Sequence, residues 1–149
     1  MCKRLRLSAA AGVEQDERGE WELRLVIGGC AQGKLAYVQS RYSIAADRVW
    51  DEALPADAEA QRGTVVVNHV HQWVRSRLLA GGCPEEEMAS FLDRHGDCIL
   101  ISDEVGNGIV PVEAFEREYR ERVGRLLVWL AARAEEVERV ICGIVQKIK

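Results

Sequence analysis

The chain has 149 residues, 48% of them hydrophobic, with 20 Lys and Arg against 24 Asp and Glu and a formal net charge of -4. That length suits one compact domain able to bury about two-thirds of its unfolded surface, and the acidic balance argues against general attraction to nucleic acid or an anionic membrane. No run approaches the roughly 20 apolar residues of a membrane span, and the separated cysteines, with no C-x-x-C pair, read as thiols of a reduced cytoplasmic compartment.

Residues 1–20 carry Lys3, Arg4 and Arg6, then Glu14, Asp16 and Glu17. This fits a flexible N-terminal extension ahead of a domain over 21–149, not a signal peptide. The first strand is expected from Glu22 to Ile27. Behind it stands Gly28-Gly29-Cys30-Ala31-Gln32-Gly33-Lys34-Leu35. Glycines at the two fixed positions, Gly28 and Gly33, permit a turn whose N–H groups converge on a polyphosphate, and Lys34 adds a cation within reach of the β/γ-phosphates. These eight residues are the predicted nucleotide-binding loop, for ATP or GTP, with Lys34 as a predicted catalytic residue. Such loops end in a Ser or Thr hydroxyl that ligates Mg²⁺. Here the position is Leu35, a loss on the order of 1.5–3 kcal/mol by analogy with charged hydrogen bonds, so Mg²⁺ is expected with a weakened hold. Cys30 reads as a small side chain tolerated in the loop.

Leu35, Tyr37, Val38 and Tyr42 fit a first helix whose N-terminus faces the phosphates. From Asp47 to Gly63 the chain is acidic, Ala-rich and interrupted by Pro55, and reads as a connection with little regular structure. A second strand is expected at Thr64 to Asn68. Val70, Trp73, Val74, Arg77 and Leu78 then recur at helical spacing until Gly81-Gly82, and Pro84 starts another helix with Glu85, Glu86 and Glu87 in its first turn. Strands at Cys98 to Ser102 and Val137 to Cys142 flank a long helix from about Glu113 to Ala134. On its wet flank Glu116–Arg120, Glu118–Arg122 and Glu121–Arg125 are spaced as i,i+4 ion pairs. Apolar runs alternating with helical patterns predict an α/β protein with a mostly parallel sheet and helices on both faces.

In such sheets ligands bind beyond the carboxyl ends of the strands. That singles out the glycine loop, the segment Asn68-His69-Val70-His71, and the loop from Asp103 to Pro111. Asp103 or Glu104 is positioned to hold a metal or act in phosphoryl transfer, Asp103 being the predicted metal ligand. His69 and His71, two apart, make a poor metal pair on a helix, and His95 reads as a histidine that complements a helix end.

Together the glycine loop, Glu104-Val105-Gly106-Asn107-Gly108-Ile109-Val110-Pro111, Tyr119-Arg120 with Gly124-Arg125, and the ending Gly143-Ile144-Val145-Gln146-Lys147-Ile148-Lys149 resemble the adenosylcobinamide kinase / adenosylcobinamide-phosphate guanylyltransferase family. The resemblance implies a P-loop, RecA-like fold that transfers phosphate from ATP or GTP to a hydroxyl of a corrinoid in cobalamin biosynthesis. It further implies GMP transfer through a guanylylated histidine and a homo-oligomer. The chain departs from the family loop at Ala31, Gln32 and Leu35, and has no histidine between Tyr42 and Gly63. A nucleotide-binding or regulatory subunit without catalysis is the alternative, and a kinase for an unrelated alcohol would keep the same loop chemistry.

Overall fold

The computed structural model describes residues 22–149; the extension expected over 1–20 lies outside the described residues. The elements run β1 (Leu23–Gly28), α1 (Lys34–Tyr42), β2 (Val49–Asp51), α2 (Asp57–Ala60), β3 (Val65–Asn68), α3 (Val70–Leu79), α4 (Pro84–Arg94), β4 (Cys98–Asp103), α5 (Ala114–Arg133), β5 (Glu136–Ile141) and β6 (Ile144–Lys147). They form a six-stranded sheet in the order β2-β3-β4-β1-β5-β6. Five strands are parallel and β6 runs antiparallel to β5, which bears out the expected α/β class.

Side-chain alternation along the strands divides the core between the two faces. Leu23, Leu25, Val65, Val67, Cys98 and Leu100 join Trp73, Met88, Phe91, Tyr119, Leu126 and Leu130 of α3, α4 and α5. Val26, Val66, Ile99, Ile101 and Val140 point the other way and meet Val38 of α1. The middle strands β3 and β4 are buried almost throughout, as a strand covered on both faces must be.

The connection expected over 47–63 is corrected. A 3₁₀ turn at Ala46–Arg48, strand β2 and the single-turn α2 occupy it. Arg48 fixes this region by donating to the carbonyls of Glu59 (2.9 Å), Gly63 (2.7 Å) and Thr64 (3.3 Å). β2 is three residues of edge strand whose ladder comes entirely from β3, so no apolar periodicity announces it. β6 is likewise absent from the sequence-based expectation. β5 stops at Ile141, one residue short of expectation, because Cys142 and Gly143 take φ of 50° and 76° and form the two-residue turn of a hairpin.

On α5, Glu118–Arg122 and Glu121–Arg125 pair as expected, but Glu116–Arg120 does not. Glu116 reaches across to Arg75 of α3 at 2.5 Å, and Arg120 donates to the Ile109 carbonyl at 2.8 Å.

Candidate functional site

β1 ends at Gly28, which lies in register with Asp103 of β4 on one side and Val140 of β5 on the other. A Cβ at Gly28 would stand 2.4 Å from the Val140 carbonyl oxygen, so only glycine lets the chain leave the sheet here. Ala31 and Gly33 take φ of 54° and 88°, turning the loop back onto the first turn of α1. Lys34, the first residue of that helix, is 6% exposed. Its Nζ donates to the Gly29 carbonyl at 2.6 Å and lies 2.6 Å from Asp103 Oδ1. Leu35 packs against the apolar cluster beneath α1.

Asp103 is the hinge of the arrangement. Its main-chain N–H donates to His71 Nδ1 at 3.1 Å, which leaves the imidazole proton on Nε2, 3.5 Å from Asp103 Oδ2. Burial holds the His71 pKa below the usual imidazole value; the Asp103 carboxylate opposes this, while His69 and Lys34 reinforce it. The ring is therefore neutral near pH 7. Glu104 is turned elsewhere: its N–H donates to the Gly28 carbonyl at 2.9 Å, and its carboxylate accepts from Arg139 Nε of β5 at 2.9 Å.

Beyond Asp103 opens a cleft of about 440 Å³, walled by His71, Arg75, Asp103, Asn107, Tyr119 and Arg120 among others. The Arg75 guanidinium lies over the Tyr119 ring, 5.3 Å from its centre. The Tyr119 hydroxyl is buried without a hydrogen-bond partner among the described residues, and burial pushes its pKa up to about 12. Loop residues Gly106 and Gly108 complete the rim.

The expected loop residues Gly28 to Leu35, Lys34 and Asp103 thus share the carboxyl end of the neighbouring interior strands β1 and β4, with Lys34 against Asp103. A single carboxylate at the end of a glycine loop is a donor set that suits Mg²⁺ beside a phosphate, since that ion keeps most of its water and takes one or two carboxylates plus substrate phosphates. Leu35 has no oxygen to add. Elsewhere, Asp51, Glu52 and His69 bring ligand atoms within 4.8 Å of one another at the ends of β2 and β3, and His69 Nδ1 lies 2.7 Å from Asp51 Oδ1. His95 caps α4, where its Nε2 lies 2.8 Å from Asp57.

Sequence reasoning misses Gln72, Arg75 and the site role of His71. Their signal is positional: α3 starts directly after β3, so its first turns border the same crevice, and His71 and Arg75 are spaced i,i+4 on one face.

A family model described as cobinamide kinase / cobinamide phosphate guanyltransferase matches residues 39–148. The match begins inside α1, so the glycine loop stands on its geometry alone. Two curated relatives, the bifunctional adenosylcobalamin biosynthesis proteins of Salmonella typhimurium and Escherichia coli, are each 47% identical over 51 residues, 34% of this chain and 28% of the relative. The aligned stretch is therefore little more than a quarter of those relatives' length.

Proposed function

The chain belongs to the cobinamide kinase / cobinamide phosphate guanyltransferase family, and from that membership and the site geometry we propose that it binds ATP or GTP at the Gly28–Leu35 loop. From there it passes the terminal phosphate to the hydroxyl of a corrinoid. The observation that carries the reading is Lys34, buried at the N-terminus of α1 with its ammonium 2.6 Å from Asp103. Loop amides and the helix N-terminus attract phosphate oxygens, and Lys34 neutralises charge as the phosphoryl group moves. Asp103 is the side chain to hold Mg²⁺, which would supply electrostatic stabilisation of the phosphates, while Glu104 is held away by Arg139.

The acceptor occupies the cleft on the far side of Asp103, where its hydroxyl oxygen forms the new bond to phosphorus as the bond from the γ-phosphorus to the β–γ bridging oxygen breaks, ADP or GDP departs with that oxygen, and the hydroxyl proton passes to solvent. Positioning and electrostatics suffice for such a transfer. No residue of this chain is assigned as guanylyl acceptor, since no histidine lies between Tyr42 and Gly63.

The test is incubation of the purified protein with MgATP or MgGTP and adenosylcobinamide. Phosphorylated cobinamide is the expected product, and its absence at high protein concentration overturns the kinase reading. One observation favours a purely nucleotide-binding subunit: Leu35 turns into the core and offers the metal nothing. Leu35→Ser separates the two. Under the kinase reading the native protein already binds nucleotide more tightly with Mg²⁺, whereas equal binding with and without Mg²⁺, converted to metal dependence by the serine, supports the subunit.

A further inference from the structure

The hairpin joining β5 to β6 has a feature the nucleotide reading does not use. Its strands pair through Ile141 and Ile144, and a two-residue turn of this kind leaves the amides of its two central residues outside the ladder. Both are taken by one residue of the glycine loop. Cys142 N–H donates to the Gln32 side-chain oxygen at 2.5 Å, and Gly143 N–H donates to the Gln32 main-chain carbonyl at 3.0 Å. The Gln32 amide nitrogen donates back to the Cys30 carbonyl at 3.3 Å. Both Gln32 oxygens are thus engaged, and Gly33 sits close enough to the turn that an added Cβ would meet Gly143 Cα at 3.9 Å.

We infer that Gln32 is a positioning residue that latches the phosphate loop to the β5–β6 turn, and that nucleotide occupancy is felt at that turn through it. In a trans peptide the carbonyl of one residue and the N–H of the next point in opposite directions. The bond from Gly143 to the Gln32 carbonyl therefore turns the Gly33 N–H away from the hairpin, so this amide of the loop is oriented before a phosphate arrives. Preorganisation of this kind strengthens binding by lowering the ordering cost. The turn gains as well, because Cys142 holds a left-handed conformation that a non-glycine residue adopts only when its surroundings secure it. The inference rests on the nucleotide-loop reading for its ligand, while the latch itself belongs to the protein alone.

Amide hydrogen exchange resolves the two. In the free protein the Cys142 amide should be protected, and Gln32→Ala should speed its exchange at least tenfold while leaving the Gly143 amide slower. Gln32→Glu, which keeps an acceptor oxygen, should retain the Cys142 protection. With saturating ATP or GTP, Cys142 and Gly143 should slow further in the native protein, and Gln32→Ala should raise the nucleotide Kd five- to tenfold. Unprotected Cys142 in the free native protein refutes the latch whatever the ligand. Protection that Gln32→Ala removes without any change in Kd refutes the positioning role. Absence of nucleotide binding by the native protein instead refutes the loop reading and the signalling with it, while exchange in the free protein still decides the latch by itself.

Discussion

The two sides of Asp103 are built from different materials. Toward α1 the site is mostly main chain: Gly28, Gly29 and Gly33 shape a loop of amides, into which the side chains of Lys34 and Gln32 are tied. Toward α3 and α5 it is side chains, with His71, Arg75, Tyr119 and Arg120 facing one another across a cleft. Main-chain amides recognise any triphosphate tail, whereas a wall of side chains distinguishes one acceptor from another. Under the proposed function, phosphate recognition and acceptor selectivity fall to separate halves of one crevice, with the Asp103 carboxylate between them.

The comparison breaks most sharply at that carboxylate. Asp103→Asn removes the carboxylate charge that faces Lys34, and under the proposed phosphoryl transfer turnover should fall by about 10²–10³-fold, the usual effect of losing one electrostatic group from the transition state. Nucleotide affinity should change by less than about tenfold. Equal losses in the two measurements would mean that Asp103 serves binding alone. Next comes Gly28→Ala, a main-chain lesion. The new methyl collides with the Val140 carbonyl, and denaturant unfolding should show a loss of about 2–4 kcal/mol.

A smaller effect isolates the side-chain half. Arg122 of α5 holds both carboxylate oxygens of Glu85 on α4. Burial opposes ionisation of Glu85, yet Arg122 keeps its pKa below the ordinary value of 4.5. A depressed carboxyl contributes stability that is full above pH 4.5 and is lost as the pH falls through the lowered value. Arg122→Met should therefore cost on the order of 1 kcal/mol at pH 7 and flatten the acid limb of the stability curve. An unchanged limb would show that the pair does not fasten α4 to α5.

Much of the main-chain half is legible in the sequence, because Gly28, Gly33 and Lys34 act within one short segment and the strand before them is apolar but for Arg24. The cleft is less so. Arg75 meets Glu116 from a helix some forty residues away, and no local spacing announces that pairing over Glu116–Arg120. Spacing weighs His71 only against His69, whose ring does lie 5.6 Å from it, and misses the Asp103 amide that donates to it, brought near by β3 and β4 lying side by side. β2 is hidden for a related reason, since a three-residue edge strand owes its existence to the ladder that β3 offers and to Arg48 tying down the carbonyls behind it.

The claim beneath all of this is that the amide loop and Lys34 grip a nucleotide's phosphates. Isothermal titration of the native protein and of Lys34→Ala with ATP and GTP, with and without Mg²⁺, tests it directly. The account predicts saturable binding by the native protein and a loss of about 10–150-fold in the variant, the worth of one or so charged hydrogen bonds. Equal affinity in the two proteins, or no binding to either at millimolar nucleotide, would contradict it.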